Sequence, residues 1–207
     1  MANTASIALT MTDTSSHDSD DAIDVALMMR VKEGDHAAFQ QLVERHQDMI
    51  IGTVAKMLGN ASDAPDIAQQ VFLRLWKSAK RYKQKAKFTT YLFTITRNLV
   101  FNESKKRARR KTHSLDERED ESFQQFADDS SKSPDAETLQ SELQVAVDQA
   151  INGLPEKQRL AVILRRYENM PYEEIANVIG CSVSAVKSHL FRARTDLRTA
   201  LQSYLEE

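Results

Sequence analysis

An all-α fold of two small domains is predicted by three features of the 207-residue sequence. Glycine and proline are scarce, at five and four residues, apolar residues recur at helical spacing, and an acidic, serine-rich stretch divides the chain. No segment alternates apolar and polar residues over the length of a strand. The length suffices for two cores. The expected organisation is a disordered tail over 1–20, a first helical domain over 21–111, a flexible linker over 112–134 and a second helical domain over 135–207.

The opening stretch MANTASIALTMTDTSSHDSDD has no basic start, and its apolar run is too short for a signal peptide or a membrane span. A cytoplasmic protein without membrane insertion is therefore expected. Cys181 is the only cysteine, which excludes an intramolecular disulfide and a cysteine-based zinc site and agrees with a reducing compartment.

The first helix reads DAIDVALMMRVK, with Ile23, Leu27 and Val31 on one face and Gly34 as its stop. Asp35 caps the second, HAAFQQLVERHQDMIIGTVAKML, which offers Phe39, Leu42, Val43, Ile50, Val54 and Leu58 to a core before Gly59 and Asn60 end it. Ser62 or Asp63 caps the third, where Pro65 suits the first turn because its missing N–H would be unpaired anyway. There Ile67, Val71, Leu75 and Trp76 face inward, and Asp66, Gln69, Gln70 and Arg74 form a polar outer face. After the loop KQKAK comes FTTYLFTITRNLVFNESKKRARR, with Phe88, Leu92, Ile95 and Leu99 as its core stripe.

Net charge is only −2, yet the charges are segregated: Arg97 to Lys111 is densely basic and the segment after it is mostly acidic. On the fourth helix Tyr91, Arg97 and Asn98 stand beside this basic run, which suits stacking on unpaired bases while the cations follow phosphates. A helix whose aromatics are all core fits the same composition.

Beyond the linker, DAETLQSELQVAVDQAINGL is amphipathic and ends at Asn152 and Gly153; Pro155 opens the next helix, which buries Leu160, Ile163 and Leu164. PYEEIANVIGCSVSAVKSHLFRAR then has helix-turn-helix spacing. Ile175 and Ile179 are apolar, Ala176 is small where two helices approach, Gly180 allows the left-handed turn, and Val183 and Val186 close the core. In such a motif the second helix presents its first turns to the major groove, which puts Ser182, Ser184, Ala185, Lys187 and Ser188 near base edges and Arg192 and Arg194 near phosphates. Phe191 falls outside the apolar stripe of Val183, Val186, Leu190, Ala193 and Leu197 at about 100° per residue. It is a stray exposed ring, a ring packed on a neighbouring helix, or an apolar group suited to a thymine methyl.

These blocks resemble bacterial alternative sigma factors of the extracytoplasmic-function type, from Asp21 nearly to the end. DAPDIAQQVFLRLW resembles the helix that binds the polymerase clamp, FTTYLFTITRN the promoter-melting segment, and LPEKQRLAVILRRYENMPYEEIANVIGCSVSAVKSHLFRARTDLR the fourth conserved region. The family commonly has Glu where Gln70 stands and Trp where Tyr91 stands. The resemblance implies that Asp63, Asp66, Gln69, Gln70, Phe72 and Arg74 contact core RNA polymerase. Lys83, Lys85, Lys87, Tyr91, Arg97, Asn98, Lys105 and Arg109 would act in promoter melting. Arg165, Tyr172, Ser182, Ser184, Lys187, Ser188, Phe191, Arg192 and Arg194 would read the minus-thirty-five element. It further implies promoter DNA and an anti-sigma factor as partners, with no cofactor and no covalent chemistry.

Two other classes fit the sequence less well. A helix-turn-helix regulator acting without polymerase leaves the Asp66, Gln69, Gln70 stripe unexplained. An enzyme is disfavoured because the five histidines are scattered, with no Glu-x-x-His pairing, no metal set and no glycine-rich phosphate loop.

Overall fold

The computed structural model describes residues 8–114 and 134–205. Their elements in order are α1 (Ala8–Lys32), α2 (His36–Leu58), α3 (Ala64–Ser78), a 3₁₀ turn (Ala79–Arg81), α4 (Phe88–Ser114), α5 (Pro134–Gly153), α6 (Glu156–Arg166), α7 (Tyr172–Ile179), α8 (Val183–Ala200) and the short α9 (Gln202–Leu205). Among the described residues there is no strand. The all-α expectation holds, with α1 to α4 forming the first domain and α5 to α9 the second. Three boundaries differ. The tail expected to be disordered is helical from Ala8, and helix runs to Ser114 and resumes at Pro134. The acidic residues 115–133 on which the flexible linker was expected lie outside the described set.

Local chemistry sets the helix ends. The Asp35 carboxylate accepts from the Ala38 N–H at 3.0 Å and binds Arg30 as well, so the chain turns sharply from α1 into α2. Gly59 ends α2 at φ 64°, and a Cβ there would lie 3.0 Å from the Asn152 side chain, so both backbone angle and space require glycine. Gly180, at φ 74°, ends α7, and the Ser182 hydroxyl accepts from the Ala185 N–H at 3.2 Å to start α8. Ala176, 6% exposed, supplies the carbonyl to which both Gly180 and Cys181 donate.

The first core holds Leu42, Ile50, Met57, Leu75, Phe88, Leu92 and Phe93, and the second Leu160, Ile163, Leu164, Ile175 and Val186, all at most 2% exposed. Some residues assigned inward by the spacing are not central. Ile23 is 48% exposed, and its neighbour Asp24 is buried instead. Asp24 is tolerated there because Arg45 Nε donates to one carboxylate oxygen at 2.7 Å and His46 Nε2 lies 2.8 Å from the other, which ties α1 to α2. Ile95 and Trp76 are half-buried rather than central. Trp76 stacks on His36 at 4.6 Å and meets Phe39 edge-on at 5.1 Å.

The two domains are packed together, and their buried apolar residues form one continuous cluster. α6 seats on the end of α2. There the Arg159 guanidinium donates to the Met57 carbonyl of the first domain at 2.7 Å, and to the Asn152 and Leu154 carbonyls of its own. These carbonyls lie at or just beyond the ends of α2 and α5, where a cation is favoured. Burial pushes the Arg159 guanidinium below its usual pKa, with Glu156 opposing.

Candidate nucleic-acid interface

α3 presents its outer face as the spacing requires. Asp66, Gln69, Gln70 and Arg74 are exposed, and so is Leu73 at 48%, one turn beyond Gln69 and two beyond Asp66. An apolar side chain amid exposed carboxylate and amides makes a contact patch. Sequence reasoning passed over Leu73, although its position seven residues after Asp66 puts it on the same stripe. Phe72 is corrected: it is 6% exposed and packed in the core beside Val71, so its ring is not offered to a partner. Asp63 is exposed, and its carboxylate pairs with Arg107 of α4.

Between α3 and α4 lies an open hollow of about 390 Å³ lined by Arg74, Lys77, Ser78, Arg81, Tyr91, Ile95 and Asn98. The Tyr91 hydroxyl lies 2.8 Å from the Ser78 hydroxyl, and its ring meets Tyr82 at 5.1 Å, so the ring is braced along the wall. Three cations around a braced aromatic ring make a combination chemically suited to a base and its phosphate. Lys77 and Arg81 belong to this wall, though the sequence reading drew its cations from the loop and from the end of α4. Lys83 and Lys85 are exposed on the preceding loop. Further along α4, Lys105 and Arg109 line a second shallow hollow with Asn102, Lys106 and Arg110. Arg97 donates to the Asn98 side chain and, through Nη1, to the Val178 carbonyl of α7 at 2.8 Å. Lys87 lies 3.4 Å from Glu174 of the same helix.

The second domain carries the other face. Ser184, Lys187, Ser188, Arg192 and Arg194 on α8 are exposed, and Phe191 is 73% exposed. Of the three readings of Phe191, packing on a neighbouring helix is excluded among the described residues. The ring projects one turn from Lys187 and Ser188, whose own hydroxyl is turned back to the Ser184 carbonyl. Ser182 is exposed but serves as the cap described above. Arg165 lies over the Tyr172 ring at 5.3 Å and donates to the Met170 carbonyl, so these two form one unit at the start of α7.

His189, half-buried on α8, carries a testable consequence. Burial, then Lys157 and Arg192, push its pKa below the usual 6.5. The folded state thus resists protonation, so this contribution to stability is fully present above the unfolded value and is lost as pH falls from there through the lower folded value. The urea midpoint of the wild type should fall between about pH 7.5 and about pH 5.5 by more than that of His189→Gln. Equal falls would mean that the histidine is not coupled to folding.

A first domain with a cationic, aromatic-lined hollow and a second with an exposed helix-turn-helix face define a two-domain helical DNA-binding factor. Residues 42–110 match the Sigma-70 region 2 family and residues 144–197 match Sigma-70, region 4. The RNA polymerase sigma-H factor of Pseudomonas aeruginosa is 36% identical over 188 residues, covering 89% of this chain and 96% of that protein. The ECF RNA polymerase sigma-E factor of Escherichia coli (strain K12) is 32% identical over 186 residues, covering 89% and 97%. In fold the chain is similar to the sigma factor RpoE of Bartonella quintana, solved with the anti-sigma factor NepR. The TM-score is 0.64 at 23% identity, covering 79% of this chain and 96% of that one. It is also similar to CnrH, solved with the cytosolic domain of CnrY, at a TM-score of 0.61 and 24% identity, covering 87% and 98%. The chain belongs to the extracytoplasmic-function group of the sigma-70 family. It is an alternative sigma factor for transcription initiation. No described helix is long and apolar enough to cross a membrane.

Proposed function

We propose that the outer face of α3, through Asp66, Gln69, Gln70 and Leu73, docks on core RNA polymerase, while α8 reads the upstream promoter element and the α3–α4 hollow captures unpaired bases. The observation that carries this reading is the coexistence in one chain of an exposed aromatic on a basic recognition helix and a braced Tyr91 ringed by cations. Ser184, Lys187 and Phe191 supply the base-edge contacts, and Arg192 and Arg194 hold phosphates. Binding single strand better than duplex at a fixed distance from the upstream element makes opening downhill, with no covalent step and no cofactor. The protein acts in the cytoplasm. An anti-sigma factor is a further expected partner; the Bartonella quintana protein was solved with one.

Runoff transcription with core polymerase and a pool of genomic fragments tests this: promoter-specific transcripts are expected, and their absence would overturn it. Phe191→Ala should weaken binding to the recognised duplex by about tenfold, the usual worth of one good base contact, while random duplex is bound nearly as before. Equal losses on both would mean that the ring only supports the fold.

A further inference from the structure

Arg97 and Asn98 are neighbours on α4, yet only Asn98 lines the hollow between α3 and α4. Arg97 is half-buried, and each of its three guanidinium nitrogens already donates. Nε and Nη2 both donate to Asn98 Oδ1, at 3.1 and 2.5 Å, and Nη1 donates to the Val178 carbonyl at 2.8 Å. A guanidinium so occupied is poorly placed to grip a phosphate. Its effect on Asn98 follows from the chemistry of the two groups. Guanidinium carries donors and no acceptor, so the oxygen of the Asn98 amide, not its nitrogen, must face it. The amide is thereby fixed in one of its two orientations, and the group left for the hollow is the NH2. Because the pair is made within one helix, it needs nothing from the second domain.

The rest of the polar wall has the same polarity. Arg74, Lys77 and Arg81 can only donate. The Ser78 hydroxyl lies 3.2 Å from the Leu75 carbonyl, which can only accept, so its single proton is committed there. The Tyr91 hydroxyl therefore donates to Ser78 Oγ across their 2.8 Å contact. Lone pairs on these two hydroxyl oxygens are all the wall's side chains offer as acceptors once Asn98 Oδ1 is turned away, against an amide NH2 and three cations. A wall so rich in donors matches a base edge that carries an oxygen where other bases carry an amine. An amide free to turn could offer its oxygen to that amine as readily as its nitrogen to that oxygen, and would favour neither. We infer that Arg97 is a positioning residue for base selection: by holding Asn98 Oδ1 it aims the Asn98 NH2 into the hollow, which then favours the keto bases thymine and guanine over the amino bases cytosine and adenine. The inference rests on the reading of the hollow as the site of unpaired bases.

Fluorescence anisotropy of the full chain with labelled homo-oligomers of deoxyuridine and of deoxycytidine tests this. The two bases differ only at N3 and C4, where uracil has an N–H and a carbonyl and cytosine a bare nitrogen and an amine. A homo-oligomer presents the same base in every register, so no promoter sequence is needed. The readout is the ratio of two affinities of one variant, from which lost charge and lost folded protein cancel. Wild type should favour deoxyuridine by about tenfold, the worth of a donor that meets an acceptor over one that meets another donor. Arg97→Met, which cannot hold the amide, should bring the ratio near one, as should Asn98→Ala. Arg97→Glu can only accept, so it should draw the NH2 to itself, turn Oδ1 to the hollow and reverse the preference. A wild-type ratio near one, or a ratio that Arg97→Met leaves unchanged, would overturn the positioning role. Tyr91→Ala separates this result from the reading beneath it. If it weakens binding of both oligomers while the ratio ignores Arg97→Met, the hollow remains the single-strand site and only the positioning role falls. If it weakens neither, the hollow is not the single-strand surface, and both fall.

Discussion

Replacing Asp66 and Gln69 together by lysine is expected to abolish association with core polymerase while leaving the fold nearly as stable as before. Both side chains are exposed on α3, one turn apart, and no buried group depends on them. The fold loses only the attraction between Asp66 and the start of its helix, about 0.3–1 kcal/mol, and lysine's better helix propensity returns part of that. At a docked surface the change is harsher. Two new cations must be desolvated against a surface suited to a carboxylate and an amide, and like-charge juxtaposition costs several kcal/mol. A loss of affinity of about 100-fold or more follows from that range. Leu73→Ala should lower affinity by less, since it removes apolar contact without adding repulsion. Pull-down or fluorescence titration against core polymerase, read beside a urea melt of the free protein, separates docking from folding. Retained affinity in the double variant would remove polymerase docking from this face.

The elements legible in advance were those whose signals are local. Asp35 after Gly34, Gly59 after α2, and Gly180 after α7 each declare a helix boundary within a few residues, and each stands where the pattern put it, whereas Ser182, read as a base contact, proves to be the cap of α8. That Phe191 lies off the apolar stripe was legible for the same reason, since angular position on one helix decides it; that no neighbouring described helix covers the ring was not. What failed to be legible depends on partners distant in sequence. Nothing beside Asp24 in the sequence signals its burial, because the groups that surround it, Arg45 and His46, lie more than twenty residues away, and Ile23 next to it is exposed. Phe72 belongs to a quoted polymerase-binding motif, yet α3 is covered by α2 on one side and α4 on the other, and so buries two adjacent columns rather than one. The docking of α7 on α4 had no local signal at all. Arg97 and Lys87 were read as cations waiting for DNA, and nothing in their neighbourhood says that Glu174 and Val178, some eighty residues on, meet them first.

Phe88→Ala is expected to be among the most destabilising single changes in the chain. Phe88 is fully buried at the start of α4, its ring 5.3 Å from that of His46, and its backbone N–H donates to Asp21 at 2.7 Å. It thus sits where α1, α2 and α4 converge. Truncation to alanine removes most of a ring and leaves a cavity that these helices cannot close without disturbing the Asp24, Arg45 and His46 cluster. Losses for such changes run to about 3–5 kcal/mol. The polar edge of His46 could admit a water and moderate the cost, which places the estimate near the middle of that range, at about 4 kcal/mol. With a urea m-value of about 2 kcal/mol per molar, the midpoint should fall by about 2 M. Trp76, the only tryptophan, lies in the same domain against His36 and Phe39, so its fluorescence reports the transition directly. Phe88→Leu should shift it by much less, since volume is nearly kept. The consequence reaches function through geometry: the first turn of α4 carries Tyr91 and follows Lys87, so a loosened Phe88 displaces the wall of the base-sized hollow and the contact with Glu174 together. A midpoint unmoved by Phe88→Ala would mean that α4 is not anchored at this convergence, and the placement of Tyr91 would need another support.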